Sequence, residues 1–193
     1  MPDADINFIR DNLAMAHTFK SISSTASMAH CRKANERLLR VFNYSKTGQD
    51  SGTQYVPFGK LFSELKKSIP KANQRFFKKV QFGYANPELH DLSLPAMKLE
   101  EIEEAIDLVS QNTSSLLGIE IDKSQFKNIS DAGLIIQNIV REDLELIGIS
   151  SDNSLGELTS EQESVVDDVL HIVDAAEEIG VKFDRDEYLD IGR

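Results

Sequence analysis

Side chains able to do chemistry at neutral pH are few and scattered in this chain. The four histidines, His17, His30, His90 and His171, and the one cysteine, Cys31, show no HExxH or paired-histidine spacing. A transition metal needs several such ligands converging, so neither a metal site nor a cofactor is expected. Walker, GxGxxG, GxSxG and EF-hand patterns are also missing. One group does have catalytic residue types at helical spacing: Arg10, Asp11 and His17 in the run RDNLAMAH. Residues seven apart lie nearly on one helix face. There a guanidinium can stabilise charge building on a phosphorus atom, and an imidazole can move the proton of an attacking hydroxyl. These three are the candidate catalytic residues. His30 and Cys31 are neighbours, but adjacent helical positions diverge by about 100 degrees, and Cys31 reads as a small core residue.

Charge is the other informative feature. Residues 1–88 hold 14 Lys/Arg against 7 Asp/Glu, while residues 89–193 hold 7 against 25, giving +7 and −18 within a chain total of −11. Halves of opposite sign attract, so packing on each other or on a symmetry mate is the simplest expectation, and a homodimer fits it. The basic half also offers candidate nucleic-acid-binding residues: Arg32, Lys33, Arg37, Arg40, Lys66, Lys67, Lys71, Arg75, Lys78 and Lys79. Phe82 and Tyr84 lie beside them, and cations interleaved with aromatics suit phosphate contacts and base stacking. In the acidic half, Glu161, Glu163, Asp167, Asp168, Glu177 and Glu178 are candidates for docking a partner protein with a basic surface.

Helices must position these residues. Ile6, Ile9, Leu13 and Ala16 predict a first helix over about 4–20, and Met28, Cys31, Leu38, Leu39 and Phe42 a second over 25–43, with the basic residues on its opposite face. A polar connection over 44–56 leads to a third helix over 58–69, ended by Pro70, and a short fourth over 72–80. Residues 83–95 read as a proline-punctuated crossing where the charge changes sign. A fifth helix over 99–116 stops at Gly118, a sixth runs over 130–147, and a seventh starts from the capping pattern at Thr159 and Ser160 and reaches Ile179. The expected class is an all-α bundle of about seven helices. Its basic four-helix portion is 1–88 and its acidic three-helix portion 89–193, as two portions or one compact unit.

These residues carry two family resemblances. RDNLAMAH resembles the signature of HEPN-type ribonucleases, all-α dimers in which Arg and His of two chains meet in a cleft. That implies metal-independent RNA cleavage by Arg10 and His17, although the family's motif lies late in its domain and this one lies in the first helix. More broadly, ANERLLRVF, a polar loop, PFGKLFSELKKSIP and FFKKVQFGYANPELHDLSLPAMKLEEIEEAIDLVSQNTSSLL, over about residues 30–117, look like the organisation of abortive-infection HEPN-like families. The positions matching that family's Arg and His are here Phe77 and Gly83. The resemblance therefore implies a degenerate, non-catalytic copy.

With 40% hydrophobic and 27% charged residues the chain should fold without staples, and a single cysteine fits a reducing, cytoplasmic compartment. Asp3, Asp5 and Asp11 interrupt the first apolar positions and no stretch nears about 18 apolar residues. Neither secretion nor membrane insertion is expected. The residues favour a non-catalytic interaction or accessory subunit, with a HEPN-like ribonuclease and a nucleic-acid-binding module as the alternatives. Its expected partner is a protein with a basic surface, and nucleic acid is the second partner class. The family resemblance implies an antitoxin, inhibitor or regulator in a bacterial toxin or phage-defence setting.

Overall fold

Two antiparallel helices begin the chain: α1 (Asp3–Phe19) and α2 (Ser24–Thr47). The turn between them forms because Phe19 O accepts from the amides of Ile22 and Ser23, and the Ser23 hydroxyl caps α2 by accepting from Ala26 N at 3.2 Å. At its far end Gly48 takes the left-handed conformation, φ 66°, and its N–H reaches Tyr44 O at 2.9 Å. The helix therefore runs one turn past the expected end at 43. A computed structural model describes residues 3–48, 56–90, 96–123, 136, 139–141 and 160–178, and of these 84% are helical with no strand. The protein is an all-α helical bundle.

After α3 (Phe58–Leu65) the chain turns at 66–69, earlier than expected, and α4 (Lys71–Lys78) starts behind Pro70. Gln74 Nε2 closes the turn by donating to Lys66 O and Ile69 O, both at 2.8 Å. Beyond α4 the chain departs from the crossing expected at 83–95. The helix continues through a seven-residue π segment (Lys79–Ala85) into α5 (Asn86–His90). Pro87 explains the change of pitch: in an α-helix its ring would meet the carbonyl of Gly83 and its nitrogen could not donate there. The bonding pattern has already shifted before it, with Asn86 N–H bonded to Gln81 O, five residues back.

Helix α6 (Leu99–Leu117) starts where Lys98 N–H donates to the Glu101 carboxylate at 3.0 Å and stops at Gly118, φ 70°, as its sequence implies. Helix α7 (Ser160–Glu178) is the last described element. The expected sixth helix lies largely outside the described residues; Ile136, Ile139 and Val140 are helical and buried.

Helix α2 is the axis of the bundle, packed by α1, α3, α5, α6, α7 and the π segment. Fifteen of its 24 residues are buried, including all of 26–35, so it is enclosed on every side rather than amphipathic. Small residues, Ala26, Ser27, Ala29, Cys31 and Ala34, let its neighbours approach closely. One apolar cluster runs from Ile6 to Ala176 and draws on both the basic and the acidic portion. Inside it Phe58, Phe62 and Phe77 form an aromatic triad with ring centroids 5.7 to 6.1 Å apart. Phe77, fully buried, occupies the position where the HEPN resemblance would place an arginine. Phe77→Ala is expected to cost about 3–5 kcal/mol, read as a lowered urea midpoint with an unchanged m-value.

Candidate functional site

The polar residues that sequence periodicity puts on the outside of α2 lie mostly inside. Arg32, Lys33 and Arg40 are only 8%, 6% and 8% exposed, and Arg37 is half-buried. Long aliphatic stems can sink into a core if each charged head finds a partner. Arg32 Nε meets Glu36 Oε1 at 3.2 Å and its Nη1 lies 3.5 Å from Asp168 Oδ1 of α7. Arg37 Nη1 donates to Asp5 Oδ1 at 2.8 Å while its guanidinium stacks 4.1 Å over the Phe8 ring. Arg40 Nη2 donates to Val56 O at 2.9 Å, tying α2 to the entry of α3. Between α1, α2 and α7 these groups line a small pocket of about 20 Å³, partly open to solvent, with Lys33, Glu36, Arg37, Arg40 and Asp168 among its walls. That is room for one water molecule and no more.

A chain of hydrogen bonds leads on from Glu36. Gln81 Nε2 of the π segment donates to Glu36 Oε1 at 2.9 Å, and Asn35 Nδ2 reaches Gln81 Oε1 at 3.4 Å and Phe77 O at 3.3 Å. Elsewhere in the core Asn73 Nδ2 donates to Asn112 Oδ1 at 2.9 Å, joining α4 to α6. His30 Nδ1 pairs with Asn12 Oδ1 at 3.0 Å, and its ring stacks on Phe19 with centroids 5.6 Å apart. Asn12 Nδ2 is committed to Phe8 O, so Asn12 offers His30 an acceptor and the imidazole carries its proton on Nδ1. Burial, with Lys33 nearby, holds the His30 pKa well below its ordinary value. Burial likewise pushes the Cys31 thiol up, so it is no thiolate at neutral pH.

The candidate catalytic residues all lie on α1. Arg10 is exposed, whereas Asp11 and His17 are partly buried. Burial raises the Asp11 carboxyl, with Arg10 opposing, and burial lowers His17, reinforced by Lys20 and opposed by Glu103. Arg10 and His17 stand two helical turns apart, about 10 Å along the axis, so one chain does not bring them onto a common atom.

The ten candidate nucleic-acid contacts divide in two. The four on α2 are engaged in the interior. Lys66, Lys67, Lys71, Arg75, Lys78 and Lys79 are exposed on the turn after α3, on α4 and on the π segment, and among these Lys79 is held by Glu104, which also receives the Tyr84 hydroxyl. Of the acidic candidates, Glu163, Asp167, Glu177 and Glu178 face solvent on α7, and the Glu161 side chain lies outside the described residues. Asp168 points the other way, 3% exposed, toward Arg32. It is a structural counter-ion: about 100° round the helix from Asp167, it lies on the side packed against α2. Bridges from Lys20 to Glu103, at 2.7 Å, and from Arg32 to Asp168 join the oppositely charged portions. Among the described residues no three His, Cys, Asp or Glu side chains converge as a metal site, and no helix is long and apolar enough to cross a membrane.

Fold and surfaces together define an all-α protein with a polar-lined central helix and two exposed surfaces of opposite charge. The chain matches no protein-family model, no curated protein and no solved structure.

The interior pairings predict two outcomes. Asp168→Ala leaves the buried Arg32 to Glu36 without the carboxylate that faces it from α7, and is expected to cost about 1–3 kcal/mol by chemical denaturation, whereas the double change Arg32→Met with Asp168→Leu recovers most of that loss. His30 is neutral in the folded state but takes up a proton near its ordinary value of 6.5 once unfolded. Stability should therefore be full above that pH and fall below it by up to about 1.4 kcal/mol per pH unit, His17 acting in the same direction. Denaturation series from pH 7.5 down to about pH 5.5 check this, and His30→Gln should flatten most of the slope.

Proposed function

We propose that the protein is a non-catalytic interaction subunit that docks a partner with a basic surface against the outward face of α7. The supporting observation is the stripe Glu163, Asp167, Asp174 and Glu178, exposed at spacings of four, seven and four along one helix that carries no Lys or Arg. Its opposite face, Val165, Val166, Val169, Ile172, Val173 and Ala176, is committed to the core. The helix is thus held rigid from beneath while its acidic side stays in solvent. Interior pairing with Asp168 keeps the Arg32 cation beneath the helix, away from that side. Such a field steers encounter and is weakened by salt, because the screening length shortens to a few ångströms near 1 M.

The test uses the partner that co-purifies with the untagged chain. Its association rate should fall steeply as salt rises from about 50 to 500 mM, and Glu163→Gln, Asp167→Asn and Glu178→Gln together should remove most of that dependence. Asp168 is left intact so that lost binding is not lost folding. An association rate indifferent both to salt and to the triple variant overturns the proposal.

A further inference from the structure

We infer that the outward face of α4 and the π segment is a binding site for short single-stranded nucleic acid, with Lys71, Arg75 and Lys78 on phosphates and Phe82 beneath a base. The site goes beyond the α7 surface, since it has the opposite charge and lies on a different helix. Lys71, Arg75, Lys78 and Phe82 succeed one another at spacings of four, three and four, and all four are exposed. Lys71, Arg75 and Lys78 therefore lie along one face of α4, about 10 Å from first to last, and Phe82 follows in the π segment that continues it. Lys60, Lys66 and Lys67 are exposed beside it on and after α3. Glu64 is exposed on α3, and Glu104 of α6 is already held by Lys79 and Tyr84. Among the described residues Lys71, Arg75 and Lys78 make no ion pair; the Lys78 ammonium lies 5.8 Å over the Phe62 ring.

Phe82 is the second and independent observation. Its ring is 49% exposed, one of four large apolar side chains so placed among the described residues. It is nonetheless anchored, meeting Phe58 in a T-shaped contact at 5.9 Å and 72°. An anchored ring left half in water at the end of a cation stripe is what base stacking uses. An acidic peptide would match the cations equally well, but its carboxylates give the ring nothing to stack on. A duplex is disfavoured by the neighbouring helix: its phosphates spread widely, and α6, packed on α4 and without a single Lys or Arg, would repel them within a screening length of about 8–10 Å. A few nucleotides of single strand fit along the stripe alone.

Fluorescence anisotropy of a labelled oligothymidylate with the full chain tests the assignment. Affinity is expected to fall with salt at a logarithmic slope near about −2, as three phosphate contacts on a single strand imply. Lys71→Gln, Arg75→Gln and Lys78→Gln together should weaken binding at least about tenfold and flatten that slope. Phe82→Ala should weaken it about tenfold with the slope unchanged, and Phe82→Trp should restore it. Glu163→Gln with Asp167→Asn should not weaken it, which keeps this result separate from the fate of the α7 proposal. Far-UV circular dichroism guards against unfolding in every variant. Three results would each overturn the inference. They are no binding at low salt, a duplex bound as tightly as the single strand, or equal competition by polyglutamate with Phe82→Ala silent. The last assigns the stripe to an acidic protein instead.

Discussion

The rest of the bundle answers to one constraint: α2 is enclosed on every side yet carries His30, Arg32, Lys33, Asn35 and Arg40 into the interior. An uncompensated charge there would cost several kcal/mol, and an unpaired amide or imidazole nearly as much. Three of the neighbouring elements bring specific partners. Asn12 on α1 meets His30, Asp168 on α7 faces Arg32, and Gln81 on the π segment bridges Asn35 and Glu36. Apolar packing supplies most of the stability, but it is indifferent to rotation of one helix against another. The polar contacts are not, and they give the bundle a single register.

Pro87 shapes the bundle in a second way. A proline at that point would ordinarily end a helix, and the basic and acidic portions would then be joined by an irregular crossing. The π turns before it let the helix pass through instead, carrying Gln81 to the interior and Phe82 to the surface. Helix α5 then returns to the start of α2, where the Ser24 hydroxyl bonds the Glu88 carboxylate. The helical continuity also places Lys79 and Tyr84 against Glu104 of α6, so the junction of opposite charge is itself bonded across.

Interior pairing has an electrostatic consequence outside. Because Arg32, Lys33 and Arg40 of α2 are turned inward, the exposed cations cluster on α4 and the turn before it, and the negative charge on α7 has no cation of its own helix to offset it.

The all-α class and several boundaries were legible in the sequence because they depend on local chemistry. Gly118 ends α6, Pro70 separates α3 from α4, and the apolar period of α1 and α7 emerges without knowledge of any neighbour. The side of α2 that faces solvent was not legible. A stripe of Arg and Lys opposite a stripe of Leu and Phe reads as an amphipathic surface helix, and only a second helix delivering Asp168 could turn Arg32 inward. The roles of Asn12, Asn35, Asn73 and Gln81 were hidden for the same reason, since a buried amide looks like a surface one until its partner, far away in sequence, is known. The π segment had a local cause in Pro87, yet whether a proline ends a helix or is absorbed depends on what packs around it. Sequence alone determined which residues are charged and how they are spaced along each helix. Tertiary structure decided which of those charges are neutralised inside and which are left to meet a partner, because pairing across helices is set by packing and not by periodicity.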